Sequence, residues 1–125
     1  MRPRLLALAL AGVVIFNACG GSGGDTSIDA EDVVVEMYDN RYQYTDIHIP
    51  LGGTINWVGA GRNPHNAVEA NEMWSTEAVF GSLEQLEGDE ATLTYNTPGT
   101  FTFFCTFHGN AGGSGMAGVL TVGGD

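Results

Sequence analysis

Residues 103–122 read FFCTFHGNAGGSGMAGVLTV. The alternation entering this stretch puts Phe101, Phe103 and Cys105 on one face of a strand, so the thiol points the same way as two large rings and into a core. His108 follows three residues later, past the end of the alternation, where a loop can return its ring toward the sulfur. After the glycines the alternation resumes with Met116, Gly118, Leu120 and Val122, which places the Met116 sulfur at the same end. Thiolate, imidazole and thioether at this spacing suit a soft-to-borderline metal ion. Plain packing of a buried cysteine beside a turn histidine is the competing reading.

Working outward, apolar residues recur at every second position beyond residue 32, and no window of a dozen residues shows helical spacing. Val33, Val35 and Met37 share a face, as do Ile47 and Ile49, Ile55 and Trp57, and Ala91, Leu93 and Tyr95. The runs are separated by DNR, PLGG, GAGRNP, EGDE and NTPG, all rich in turn residues. Short strands so punctuated predict an all-β domain, a two-sheet Greek-key sandwich. Residues 70–86 are less regular and are expected to hold a strand and a short helical turn. His48 alternates against Ile47 and Ile49, so it should face solvent, with no partner donor near it in sequence. A mononuclear site built on Cys105 and His108 needs a second imidazole. His65, in RNPHNAV, follows a proline-bearing turn forty residues before the cysteine, a distance that suits a neighbouring strand.

Four elements in this order, INWVGAG, PHNAV, TPGTFTFFCTFH and GMAGVLTV, resemble the small blue-copper proteins, or cupredoxins, and within them the plastocyanin and halocyanin branch. The likeness spans residues 33 to 123. It implies one type 1 copper held by His65, Cys105 and His108, with Met116 as a weak axial ligand, cycling between Cu(II) and Cu(I). It also implies that the Asn66 side chain ties the His65 segment to Thr106, steadying the thiolate. Each residue also has a duller reading: Cys105 as a structural thiol, His65 as a turn cap, Met116 as core packing like Met37. One departure from the branch is the loop GNAGGSG, seven residues between His108 and Met116 where plastocyanin-like relatives have fewer. Met73, in NEMWSTE, is the rival thioether, but no alternation places it.

The N-terminus reads separately. Two arginines precede twelve apolar residues from Leu5 to Phe16, too few to span a bilayer and suited to an export signal. The residues up to Cys19 resemble a lipoprotein lipobox, with Ala18 before the cysteine and with Phe16 and Asn17 departing from the usual pattern. The expected organisation is a signal over residues 1–18, lipid on Cys19, a flexible Gly/Ser/acidic tether over 19–32, and a folded domain over 33–125. Cleavage elsewhere and an uncleaved anchor are the alternatives. With Cys19 lipidated, Cys105 has no disulfide partner.

All 15 acidic residues lie beyond Cys19, where only two arginines and no lysine accompany them. Such a surface repels nucleic acid and anionic lipid and favours a cationic partner or a saline medium. Solubility alone also accounts for it. Glu84, Glu87, Asp89 and Glu90 form an acidic run, either a steering patch or a solvated turn.

These readings predict a periplasmic or cell-surface electron carrier, tethered to the membrane through lipid, monomeric, and serving a redox partner such as a basic cytochrome or oxidase domain. The exposed edge of His108, amid Gly109, Ala111 and Gly112, is the expected route for electrons. No enzyme activity is expected: copper oxidases and nitrite reductases use additional His-x-His ligands, and the three histidines here include no such pair. The dinuclear centre of oxidase subunit II needs two cysteines in the ligand loop, which holds Cys105 alone. Copper storage or delivery is the alternative function.

Overall fold

The computed structural model describes residues 26–123, so the segment read as a signal, Cys19, and the tether up to residue 25 lie outside the described residues. The described chain is a sandwich of two sheets, as its alternation predicts. One sheet contains β2 (Asp32–Tyr38), β3 (Arg41–Tyr42), β5 (Thr54–Gly59) and β7 (Glu90–Thr94), in the order β3-β2-β5-β7. The other contains β1 (Ser27–Asp29), β4 (Asp46–Ile49), β6 (Val68–Glu69), β8 (Gly99–Gly109) and β9 (Gly115–Val122), in the order β1-β4-β9-β8-β6. Both sheets are mixed: β2 runs parallel to β5, and β4 runs parallel to both β9 and β1.

The inward faces are the ones the period-two pattern marks. Val33, Val35, Met37, Ile55, Trp57, Ala91 and Leu93 from the first sheet share one core with Ile47, Ile49, Phe101, Phe103, Leu120 and Val122 from the second. Aromatic rings lock the sheets together. Trp57 meets Phe103 edge to face at 5.1 Å, Tyr42 meets Phe103 at 4.9 Å, and Trp74 stacks on Trp57 at 5.9 Å. Burying such rings and branched chains is the main favourable term in a domain this small.

Three strands were not anticipated: the two-residue β3, which pairs Tyr42 with Met37 and Arg41 with Tyr38 just after the DNR turn, and β1 and β6. β1 lies inside the stretch read as tether: Ile28 pairs with Ile47 and packs against the core, so one apolar residue between two polar ones is enough to add an edge strand. β6 pairs Val68 with Phe104 and Glu69 with Phe103. The irregular stretch contains only the short helix α1 (Glu77–Phe80), closed by Gly81 at φ 93°. His48 faces solvent as expected, but its Nε2 lies 3.2 Å from Asp46 Oδ1, a partner two residues away on the same exposed face. Among the described residues no helix is long and apolar enough to cross a membrane.

What positions the site is a break in the β8/β9 ladder. Register is regular from Gly99↔Val122 to Phe104↔Ala117 and resumes at Gly109↔Gly115, so residues 105–108 of β8 face Met116 alone. The two ends of the bulge close tightly. A Cβ at Gly109 would lie 2.4 Å from the Met116 carbonyl oxygen, and at Gly115, where φ is 74°, a Cβ would lie 2.5 Å from the His108 carbonyl oxygen. Beyond that closure residues 110–114 form an exposed turn, in which Asn110 Oδ1 accepts from Gly112 N (2.9 Å) and Gly113 N donates to Asn110 O (3.0 Å). The long loop therefore projects outward while its ends stay fixed.

Candidate metal centre

Three donors meet inside this bulge and the loop that faces it. Cys105 Sγ lies 3.8 Å from His65 Nδ1 and 3.6 Å from His108 Nδ1, and all three ligand atoms fall within 4.8 Å of one another. Cys105 and His65 are fully buried, whereas His108, at the end of β8, is half-buried. Donors bound to one first-row ion at about 2.0–2.3 Å and roughly 120° apart stand about 3.5–4 Å from each other, close to these separations. Two imidazoles and one thiolate fit a trigonal copper site.

His65 is held from both sides. Its backbone N–H and C=O pair with Gln85 at 3.1 Å each, and Gln85, itself buried, donates from Nε2 to the Trp57 carbonyl at 3.0 Å. The next residue, Asn66, donates from Nδ2 to Thr106 Oγ1 (2.8 Å) and to the Leu83 carbonyl (2.9 Å), and its Oδ1 accepts from the Thr106 N–H (3.0 Å). The side-chain tie between the His65 segment and the residue after Cys105 is therefore present. Tyr42 adds a third anchor, donating its hydroxyl proton to the Asn66 carbonyl at 2.6 Å. Burial, with a smaller contribution from Cys105, raises the Tyr42 pKa well above its ordinary value, so the phenol keeps the proton it donates.

Asp39 enters the site with no forewarning in the sequence. It sits in the turn between β2 and β3, read from DNR only as turn chemistry. Its Oδ1 lies 2.9 Å from His65 Nε2 and 3.0 Å from the Asn63 N–H, and its Oδ2 lies 3.1 Å from the Arg62 N–H. These donors, the Asn63 N–H foremost and then the His65 ring, lower its pKa to about 2. An ionised carboxylate only accepts, so in this contact Nε2 is the ring nitrogen that donates, while Nδ1 faces Cys105.

Met116 is buried opposite the bulge, whereas the rival thioether of Met73 is among the most exposed apolar side chains. The acidic run is less uniform than its sequence. Asp89 Oδ2 accepts from the Leu86 N–H at 2.8 Å and Glu90 Oε1 from Asn56 Nδ2 at 2.9 Å, while Glu84 and Glu87 are exposed. Half of it is thus turn and strand chemistry.

Comparison with known proteins agrees with this geometry. Residues 30–123 match the family model described as copper binding proteins, plastocyanin/azurin family. A plastocyanin from Prochlorothrix hollandica is 30% identical over 120 residues, covering 94% of this chain and 87% of the relative. An amicyanin from Paracoccus denitrificans is 24% identical over 112 residues, covering 81% and 85%. Among solved structures, a reduced amicyanin variant superposes with TM-score 0.54 at 22% identity, over 86% of this chain and 90% of that one. The copper-containing nitrite reductase from Thermus scotoductus superposes with TM-score 0.59 at 20% identity, over 74% of this chain but only 22% of the reductase. At these identities the structural matches speak to the fold alone.

Proposed function

Since this chain belongs to the plastocyanin/azurin family of copper-binding proteins, we propose that it is an electron carrier rather than an enzyme, with His65, Cys105 and His108 as the principal copper ligands and Met116 as the axial one. Bound copper would supply a one-electron couple between Cu(II) and Cu(I). The chain's own part is to hold one donor geometry for both states. The observation that carries the reading is the anchored donor set: a buried thiol and a buried imidazole whose flanking residues are tied by Gln85, Asn66 and Tyr42 cannot relax far when the charge at the site changes. Soft sulfur favours the reduced ion and imidazole accepts either, which suits cycling more than release.

Electrons would pass at the half-buried His108, beside Phe107, Gly109, Ala111 and Gly112, where few charged groups need desolvation on contact with a redox partner such as a cytochrome or oxidase domain. Glu84 and Glu87 are the members of the acidic run placed to steer a basic partner. The proposed location is outside the cytoplasm, with the monomer tethered through lipid on Cys19. This rests on the sequence before residue 26, and mass spectrometry of the N-terminus tests it: an unmodified end beyond Cys19 refutes the tether.

Storage or delivery of copper uses the same ligands but must surrender the ion. The experiment is therefore repeated oxidation and reduction in the presence of a competing copper chelator. A carrier keeps its copper through many cycles; loss of the ion to the chelator within the first few would favour delivery.

A further inference from the structure

The contact between Asp39 and His65 lies outside the ligand set and outside the Asn66 tie. Resting on the copper reading above, we propose that Asp39 is a positioning residue of the metal centre. Its carboxylate holds His65 as the Nε2–H tautomer with Nδ1 bare for the metal, and its negative charge favours Cu(II) over Cu(I). The geometry is specific. A single carboxylate spans the turn between β2 and β3 and the loop that delivers His65, taking Oδ1 to the imidazole at 2.9 Å and to the Asn63 N–H at 3.0 Å, and Oδ2 to the Arg62 N–H at 3.1 Å. The His65 ring is fully buried and the Asp39 side chain is 35% exposed, so the imidazole end of the bond is shielded from water while the carboxylate keeps part of its hydration. The loop is shaped around the carboxylate as well. A Cβ at Gly61 would fall 2.2 Å from Asp39 Oδ1, so only glycine leaves room for it.

A carboxylate hydrogen-bonded to a ligating imidazole fixes ring orientation and makes the imidazole a stronger donor. Stronger donation stabilises the more highly charged ion, so the potential of the centre is lower with Asp39 than without it. Asn would retain an acceptor oxygen for His65 but no charge; Ala would retain neither. Gly61→Ala leaves every ionisable group in place and displaces the carboxylate.

Two readouts test the proposal. In metal-free protein, long-range 1H–15N correlation spectra should show His65 as Nε2–H in the native chain and in Asp39→Asn, and as a tautomer mixture in Asp39→Ala and Gly61→Ala. In copper-loaded Asp39→Asn, the ratio of Cu(II) to Cu(I) affinity should fall about tenfold, the lower end for loss of such a partner, which is a rise of about 59 mV for a one-electron couple. An unchanged tautomer in a folded Asp39→Ala or Gly61→Ala protein, or an unchanged potential in Asp39→Asn, overturns the assignment. The first readout needs no copper, so a native chain that failed to bind copper would sink the proposed function while the tautomer still judged Asp39.

Discussion

Replacing Asn66 with alanine should loosen the site and the fold together, by an amount the contacts set. The side chain is fully buried and takes part in three hydrogen bonds, two to Thr106 and one to the Leu83 carbonyl, at 2.8 to 3.0 Å. At about 1 kcal/mol net for each bond the loss is about 3 kcal/mol, and rehydration of the exposed Thr106 brings it to about 2–3 kcal/mol. For a domain of this size that is a fall in Tm of about 10–20 °C. Thr106→Val removes only the hydroxyl bond and should cost about a third as much. The assay is thermal and urea unfolding of metal-free protein followed by tryptophan fluorescence, with Trp57 in the core as reporter. In the copper-loaded Asn66→Ala protein, the thiolate of Cys105 loses the clamp on its neighbour, so copper should exchange faster with a chelator. A cost below about 0.5 kcal/mol would mean that Asn66 merely fills space and that the tie between the two ligand segments carries little energy.

Met116→Leu should keep both copper and colour but raise the reduction potential, because the axial bond is weak and its loss tunes the centre; voltammetry of Met73→Leu, whose side chain is exposed, should show no shift. If Met73→Leu shifts the potential and Met116→Leu does not, the axial assignment is wrong. Burial raises the pKa of both Tyr42 and Tyr95, so the unfolded chain ionises at about pH 10 while the folded one keeps its protons. Their stability contribution is therefore complete below about pH 10 and is lost as pH rises above it, with a slope that Tyr42→Phe should reduce in alkaline denaturation curves. An unaltered slope would show that Tyr42 does not contribute.

Much of this could be read from residue order because strands repeat at every second position. Val33, Val35, Met37, Ile47, Ile49, Ile55, Trp57, Phe101, Phe103 and Cys105 all point where their parity puts them, and a one-residue error would have reversed every one. The clustering of Cys105 with His108 was readable for a different reason: both lie in one ladder break, three residues apart and opposite Met116, so sequence neighbourhood and spatial neighbourhood coincide. What escaped has no period. β6 is two residues long, and its Glu69 is buried because its carboxylate accepts from the Asn71 and Met73 N–H groups, a local turn that polarity alone argues against. Gln85 looks like any polar loop residue until its backbone is seen paired with His65. Asp39 lies 26 residues from the imidazole it holds, in a turn whose composition explains itself without any second role. Gly61, too, reads only as turn chemistry in GAGRNP, and the structure alone shows that a side chain there would collide with the Asp39 carboxylate.

The central claim is that Cys105, as thiolate, is the ligand around which one copper site is built. The most direct measurement is the visible absorption spectrum of the copper-loaded protein and of its Cys105→Ser variant. The account predicts an intense blue band from thiolate-to-copper charge transfer in the native chain, bleached by reduction and absent in the variant. A Cu(II) form without that band, or a band that survives in Cys105→Ser, would contradict it.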